Sequence, residues 1–202
     1  FCTDNNLDHR PVIALLAGSR KQEIKANLRL MAEIAGTWNN DYQMVVAAAP
    51  GIDDEFYREC LGDNPATLLR GQTYRILQHS LAALVTSGTA TLETALFRVP
   101  QIVCYNMKAG RLANLGKKLL LKVPYISLVN LIASREVVPE LVAADMNPTN
   151  LQGYMISILP GGSARQRQLR DYEEVAQKLG EPGAPAKTAR LMTEYLRNRQ
   201  QH

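Results

Sequence analysis

Cysteine is scarce in this 202-residue chain, and Cys2, Cys60 and Cys104 lie far apart with no Cys-x-x-Cys pair among them. That spacing argues against a disulfide framework or a zinc site and fits a reducing compartment. Histidine is as sparse. His9 sits in an opening loop, His79 near the end of a helical pattern and His202 at the terminus, none beside a candidate nucleophile. A hydrolytic triad is therefore disfavoured. No acidic cluster calls for a bound metal, and no metal or other cofactor is expected. No apolar run reaches the length that a bilayer demands. There is no RNP-like or zinc-finger pattern, and a net charge of +4 is too small to argue for nucleic acid. That mild basicity does suit an anionic ligand or an anionic surface.

What is present is ordinary globular material, 46% hydrophobic and 21% charged. The chain opens "FCTDNNLDHRP" without an initiator Met, so residues 1–10 are expected to be a linker remnant of something longer. From Pro11 the pattern alternates. Short apolar runs at 12–17, 43–49, 66–71, 81–86 and 101–105 read as buried strands, with helical periodicity at 19–35, 53–61, 73–80 and after residue 86. Continuous apolar strands alternating with helices imply a parallel sheet covered on both faces, the doubly wound, Rossmann-like α/β class. One domain is expected over 11–160. The amphipathic stretches of 161–202, around the breaker "GEPGAPA", are expected to pack on that domain or on a missing neighbour.

In such sheets ligands bind beyond the carboxyl ends of the strands. Two strand-to-helix turns carry suitable chemistry. In "LLAGSRKQE", Gly18 permits close backbone approach, Ser19 is placed to cap the helix and Arg20 adds a cation. This suits a phosphate; the alternative is a plain turn with a solvated arginine. In "VTSGTATLETAL", Ser87, Gly88 and Thr89 keep the turn small, with Ser87 or Thr89 as cap. Glu93 then lies about one turn inside the helix, either to accept from a ribose diol or simply to complement the helix dipole. Together the two turns point to a nucleotide, although neither G-x-G-x-x-G nor G-x-x-x-x-G-K-[ST] is present.

The segment 107–125 holds Lys108, Arg111, Lys117, Lys118 and Lys122 and no acid, beside a stripe of Leu112, Leu115 and Leu119. It reads either as a helix lying on an anionic membrane or as a surface helix with its leucines turned inward. In the stretch after it, Asn130 is placed to cap "LIASRE" or to reach a ligand oxygen. Arg135 and Glu136 are either ligand-facing or a surface charge pair.

The stretches "IALLAGSRKQEI", "LVTSGTATLETALFRVPQIVCY" and "YISLVNLIASREVVPELV", in that order and spacing, resemble the C-terminal half of lipid-A-disaccharide synthase, a glycosyltransferase of the two-domain GT-B type. The resemblance runs from about Pro11 to Leu159. It implies a nucleotide-holding GT-B domain and transfer, with inversion, of 2,3-diacylglucosamine from its UDP conjugate to 2,3-diacylglucosamine 1-phosphate. It also implies work at the cytoplasmic face of the bacterial inner membrane, with 107–125 as a possible contact. By the same resemblance, Gly18, Ser19 and Arg20 meet the diphosphate, Ser87, Gly88 and Thr89 line the pocket, and Glu93 takes the ribose. Gln72 lies near the uracil, and Asn130 and Arg135 face the diphosphate or sugar.

The leaving UDP gains charge in the transition state, so Arg20 and Asn130 are the expected stabilisers. The resemblance puts the general base in the N-terminal half, so this chain alone is expected to bind UDP without transferring sugar. Three positions depart from the family pattern: Ala17 for a usual Pro, Arg98 for a usual Gly and Ser134 for a usual Gly or Asp. The rival readings are a UDP-N-acetylglucosamine 2-epimerase, the peptidoglycan N-acetylglucosaminyltransferase, or a non-catalytic nucleotide-binding module.

Overall fold

The computed structural model describes residues 1–86, 88–106, 125–180, 183, 188–193 and 195. Ser87 and residues 107–124 of the basic segment lie outside the described residues. Six strands form one sheet: β1 (Val12–Leu16), β2 (Gln43–Ala48), β3 (Thr67–Arg70), β4 (Ser80–Val85), β5 (Gln101–Tyr105) and β6 (Glu140–Val142). Their order is β3-β2-β1-β4-β5-β6 and every pairing is parallel. The connecting helices are α1 (Lys21–Gly36), α2 (Asp54–Leu61), α3 (Thr73–Gln78), α4 (Gly88–Leu96), α5 (Leu128–Ala133), α6 (Pro148–Ile158) and α7 (Arg165–Leu179). The doubly wound α/β class expected from the sequence is the one observed.

Parallel strands alternate their side chains between two covered faces. Ile13, Leu15 and Ala17 face one core with Ile24, Leu28 and Met31 of α1, and with Leu151 and Met155 of α6. Val12, Ala14 and Leu16 face the other, with Ile76 and Leu77 of α3. A third cluster joins Ala95 of α4, Val129 of α5 and Tyr172 and Val175 of α7. Asn27 is the polar exception on the buried face of α1. Its amide donates to Glu23 O at 2.8 Å and accepts from the Asn106 N–H at 2.7 Å, which fixes the exit of β5.

α7 docks through side-chain amides. Gln101 N–H donates to Gln168 Oε1 at 2.9 Å, and Gln168 Nε2 returns a bond to Gln101 O at 3.1 Å, so a side chain stands in for one more strand pairing. Arg135 then bonds Asp171 at 3.0 Å and Glu174 at 2.5 Å. Lys178, and then Arg135, hold the Glu174 carboxyl down at about 2. The opening residues are also fastened. The Gln43 side chain bonds the carbonyls of Asp8 and Arg10, and the Phe1 ring stacks on His79 at 4.6 Å.

Strand β6 was not anticipated. Three residues after Pro139 offer too little alternation to register as a strand. α5 also differs from expectation. Its cap is Ser127, whose hydroxyl accepts from Asn130 N–H at 3.3 Å, so Asn130 lies inside the helix rather than capping "LIASRE".

The departures at Arg98 and Ser134 fall where the backbone turns left-handed, at φ 58° and 57°. A side chain there costs about 1–2 kcal/mol that glycine does not incur. Ser134→Gly, at the C-cap of α5, is expected to stabilise the chain by about 1 kcal/mol. Urea unfolding should show a higher midpoint at unchanged slope. An unmoved midpoint would refute the assignment of strain.

Candidate functional site

The sheet order reverses direction between β1 and β4. From β1 the chain winds outward through α1 to β2; from β4 it winds the opposite way through α4 to β5. The two helices cover opposite faces, so a crevice opens where their first turns part. The register pairs Leu16 with Val85, and Thr86 N–H extends the ladder to Leu16 O at 2.8 Å. Gly18 and Gly88 thus leave neighbouring strands, about 4.8 Å apart, at the same rim.

The first turn is built around an acid that sequence reasoning missed. Ser19 and Arg20 N–H both donate to Glu23 Oε2, at 3.0 and 3.3 Å, and Arg20 Nη1 donates to Oε1 at 3.1 Å. A signal was available: an acid three residues past the N-cap is the second half of a capping box. Ser19 therefore does not cap α1. The N-cap is Arg20, without a side-chain cap bond, and a carboxylate fills the anion cradle from within. Gly18 is required twice over. Its φ is +113°, and a Cβ there would stand 2.6 Å from Glu23 Cβ.

The second turn is different. α4 begins at Gly88, and among the described residues nothing accepts from the N–H groups of Gly88, Thr89 and Ala90. Among the described residues, a Cβ at Gly88 would meet Ile126 O, at 4.0 Å. Neither expected cap is seen in place: Thr89 is exposed in the first helical turn, and Ser87 lies outside the described residues. Glu93 is half-buried on α4 and accepts from the Tyr74 hydroxyl at 2.9 Å, which ties α4 to the first turn of α3. The bond to Glu93 raises the Tyr74 phenol above its ordinary value. Gln72 caps the start of α3 after β3, and its amide is shared with Asn5 (2.8 Å) and Arg75 (3.2 Å).

Two residues expected to face the ligand have partners within the protein. Asn130 is fully buried and its amide is fully used. Nδ2 donates to Val138 O and Glu140 Oε1, both at 2.8 Å, and Oδ1 accepts from Val137 and Val138 N–H at 2.7 and 3.0 Å. With no capacity left, it is a clamp between α5 and the approach to β6. Glu140, also unforeseen, accepts from Ile126 and Ser127 N–H at 2.9 Å each and closes the N-terminus of α5. Arg135 follows the C-terminal end of α5, away from the rim, and is spent on α7. The charge pair expected with Glu136 is not the one observed; Asp171 and Glu174 are the partners.

The fold defines the class: a parallel, doubly wound α/β domain with the GT-B fold, in which a crevice opens at the β1–β4 switch. The solved CalG4 calicheamicin glycosyltransferase has the same fold at TM-score 0.56 and 16% identity, covering 94% of this chain and 44% of that one. The glycotransferase of kitacinnamycin matches at TM-score 0.52 and 13% identity, covering 92% and 43%. Residues 2–194 match the family model described as lipid-A-disaccharide synthetase, and the chain belongs to that family. Lipid-A-disaccharide synthase of Solibacter usitatus (strain Ellin6076) is 32% identical over 196 residues, 96% of this chain and 51% of the relative. That of Anaeromyxobacter dehalogenans (strain 2CP-C) is 35% identical over 194 residues, 93% and 50%. The chain spans about half the length of the curated relatives it matches.

Replacing Asn130 by Ala would leave Val137 and Val138 N–H groups buried without acceptors, at about 1–3 kcal/mol each. Asn130→Ala is expected to lower the unfolding free energy by about 3 kcal/mol in urea melts. Wild-type stability in that variant would overturn the clamp.

Proposed function

We propose that this chain is the nucleotide-binding half of an inverting hexosyltransferase. The reaction transfers 2,3-diacylglucosamine from UDP-2,3-diacylglucosamine to 2,3-diacylglucosamine 1-phosphate, forming the lipid A disaccharide and UDP. Family membership supports the substrate pair. The observation that carries the site is the placement of Gly18 and Gly88 just beyond the ends of the neighbouring strands β1 and β4 at the switch point.

In this reading the diphosphate lies at the N-terminus of α4, against Gly88 and Thr89, where N–H groups without an acceptor among the described residues and the helix dipole favour an anion. Ser87, next to Gly88 in the sequence and outside the described residues, is proposed to line the same pocket on the family resemblance. Arg20, whose side chain is 80% exposed, reaches in from the α1 turn beside Gly18 and Ser19. Glu93 releases Tyr74 and accepts from the ribose diol, and Gln72 lies on the side of the base. As the acceptor hydroxyl attacks the anomeric carbon, the bond to the β-phosphate oxygen breaks and the electron pair leaves with UDP. Arg20 and the α4 amides stabilise that growing charge without reorganising. The hydroxyl proton passes to a general base, which we assign to the other half of the two-domain architecture.

Two substrates bear acyl chains, so the reaction belongs at the cytoplasmic face of the bacterial inner membrane. The basic 107–125 segment is the proposed contact with anionic lipid. Among the described residues no helix is long and apolar enough to cross a membrane.

Calorimetric titration with UDP tests the site. Wild-type chain should bind, and Glu93→Ala should weaken binding by about ten- to a hundredfold, the loss of hydrogen bonds to a charged acceptor. Arg20→Ala should weaken it by several-fold, about 1 kcal/mol. No heat above dilution with wild-type chain would sink the reading. A further titration concerns Glu23. A phosphate that reaches the Ser19 and Arg20 amides competes with this resident carboxylate, so Glu23→Gln should tighten UDP binding by about two- to fivefold. Weaker binding would mean that Glu23 serves to hold Arg20 in place.

A further inference from the structure

We propose that the Thr86 hydroxyl is a direct contact to a phosphate oxygen of the bound nucleotide diphosphate. This rests on the nucleotide reading of the rim.

Among the described residues, three buried side-chain atoms lack a hydrogen-bond partner: Thr86 Oγ1, Gln101 Oε1 and Asp171 Oδ2. Two of them belong to groups bonded through their other atom. Gln101 donates to Thr91 O at 2.9 Å, and Asp171 accepts from Arg135 at 3.0 Å. Thr86 alone has an entire polar group unpaired, on a residue only 2% exposed. A buried, unsatisfied hydroxyl costs about 1–3 kcal/mol, and valine would fill the same space without that cost.

Its position says what the hydroxyl is for. Thr86 ends the β4 ladder, with its N–H on Leu16 O at 2.8 Å. Along β4, Ala82 and Leu84 face the core shared with α1, whereas Ala83 and Val85 face the opposite one. The alternation assigns Thr86 to the α1 side, the side of Ala17, where the chain turns at Gly18. The hydroxyl therefore stands at the carboxyl end of the strand next to β1, beside one glycine turn and two residues before the other. A donor at that point meets a diphosphate spanning the α1 and α4 turns, and gains the partner that the free protein denies it. Helical threonines nearby do not share this state: Thr91 and Thr94 donate to the carbonyls of Gly88 and Ala90.

The test compares wild type, Thr86→Val and Thr86→Ser by UDP calorimetry and thermal unfolding. Thr86→Val should bind UDP about tenfold more weakly, the loss of one hydrogen bond to a charged acceptor, while its melting temperature stays level or rises. Thr86→Ser should restore binding to within about twofold. Wild-type affinity in Thr86→Val would overturn the proposal and leave the hydroxyl with a buried water as its partner. Equal weakening in Val and Ser variants would overturn it too, by tracing the effect to shape. Wild-type chain that takes up no UDP would instead refute the nucleotide reading itself.

Discussion

The parallel pairing of β1 with β4 is the constraint from which the site follows. These strands are central, neighbours in space and far apart in sequence, and the chain departs from them in opposite directions. Right-handed crossovers then put α1 and α4 on opposite faces. A crevice at the carboxyl rim is the geometric result, whatever residues line it. A shift of register in this one pair would separate Gly18 from Gly88 and carry Thr86 away from Leu16.

The rim's electrostatics come from how three helix starts are closed. α1 is closed by Glu23 and α5 by Glu140, each carboxylate taking two backbone N–H groups. α4 is left without such an acid among the described residues. Negative charge is thus already supplied on two sides, and the remaining positive pole lies on the helix that bears Glu93. Glycine at 88 keeps that pole approachable: among the described residues beyond its own helix turn, a Cβ there would meet Ile126 O at 4.0 Å. At Gly18 the same residue type serves a different end, making room for Glu23.

The sheet was legible in the sequence because its strands are buried on both faces and read as unbroken apolar runs. Val12–Leu16 is buried at every position, and Ile24, Leu28, Met31 and Ala35 recur at the helical period. β6 escaped because three residues carry no period. At the rim, the two glycine-bearing turns were legible from local chemistry as the connections that follow β1 and β4. The internal bonds of Asn130 were not legible, because an amide among apolar residues looks the same in sequence whether it serves a ligand or buried backbone and carboxylate partners. The ion pairs of Arg135 were not legible because Asp171 and Glu174 lie 36 and 39 residues on. Glu23 and Thr86 went unnoticed since an acid in a first helical turn and a threonine closing a strand are both common; only burial and partner counts set them apart.

The two borders of the sheet share a property with bearing on how copies of this domain meet. β3 runs only from Thr67 to Arg70 and β6 only from Glu140 to Val142, and each places a charged residue in its short length. Those charges have partners within the chain, Arg70 the carbonyls of Ala49 and Ile52 and the Asp54 carboxylate, and Glu140 the α5 amides. Abbreviated, charged margins are poor templates for lateral growth of a sheet. Self-association of this domain is thereby steered off its strands and onto helical surfaces.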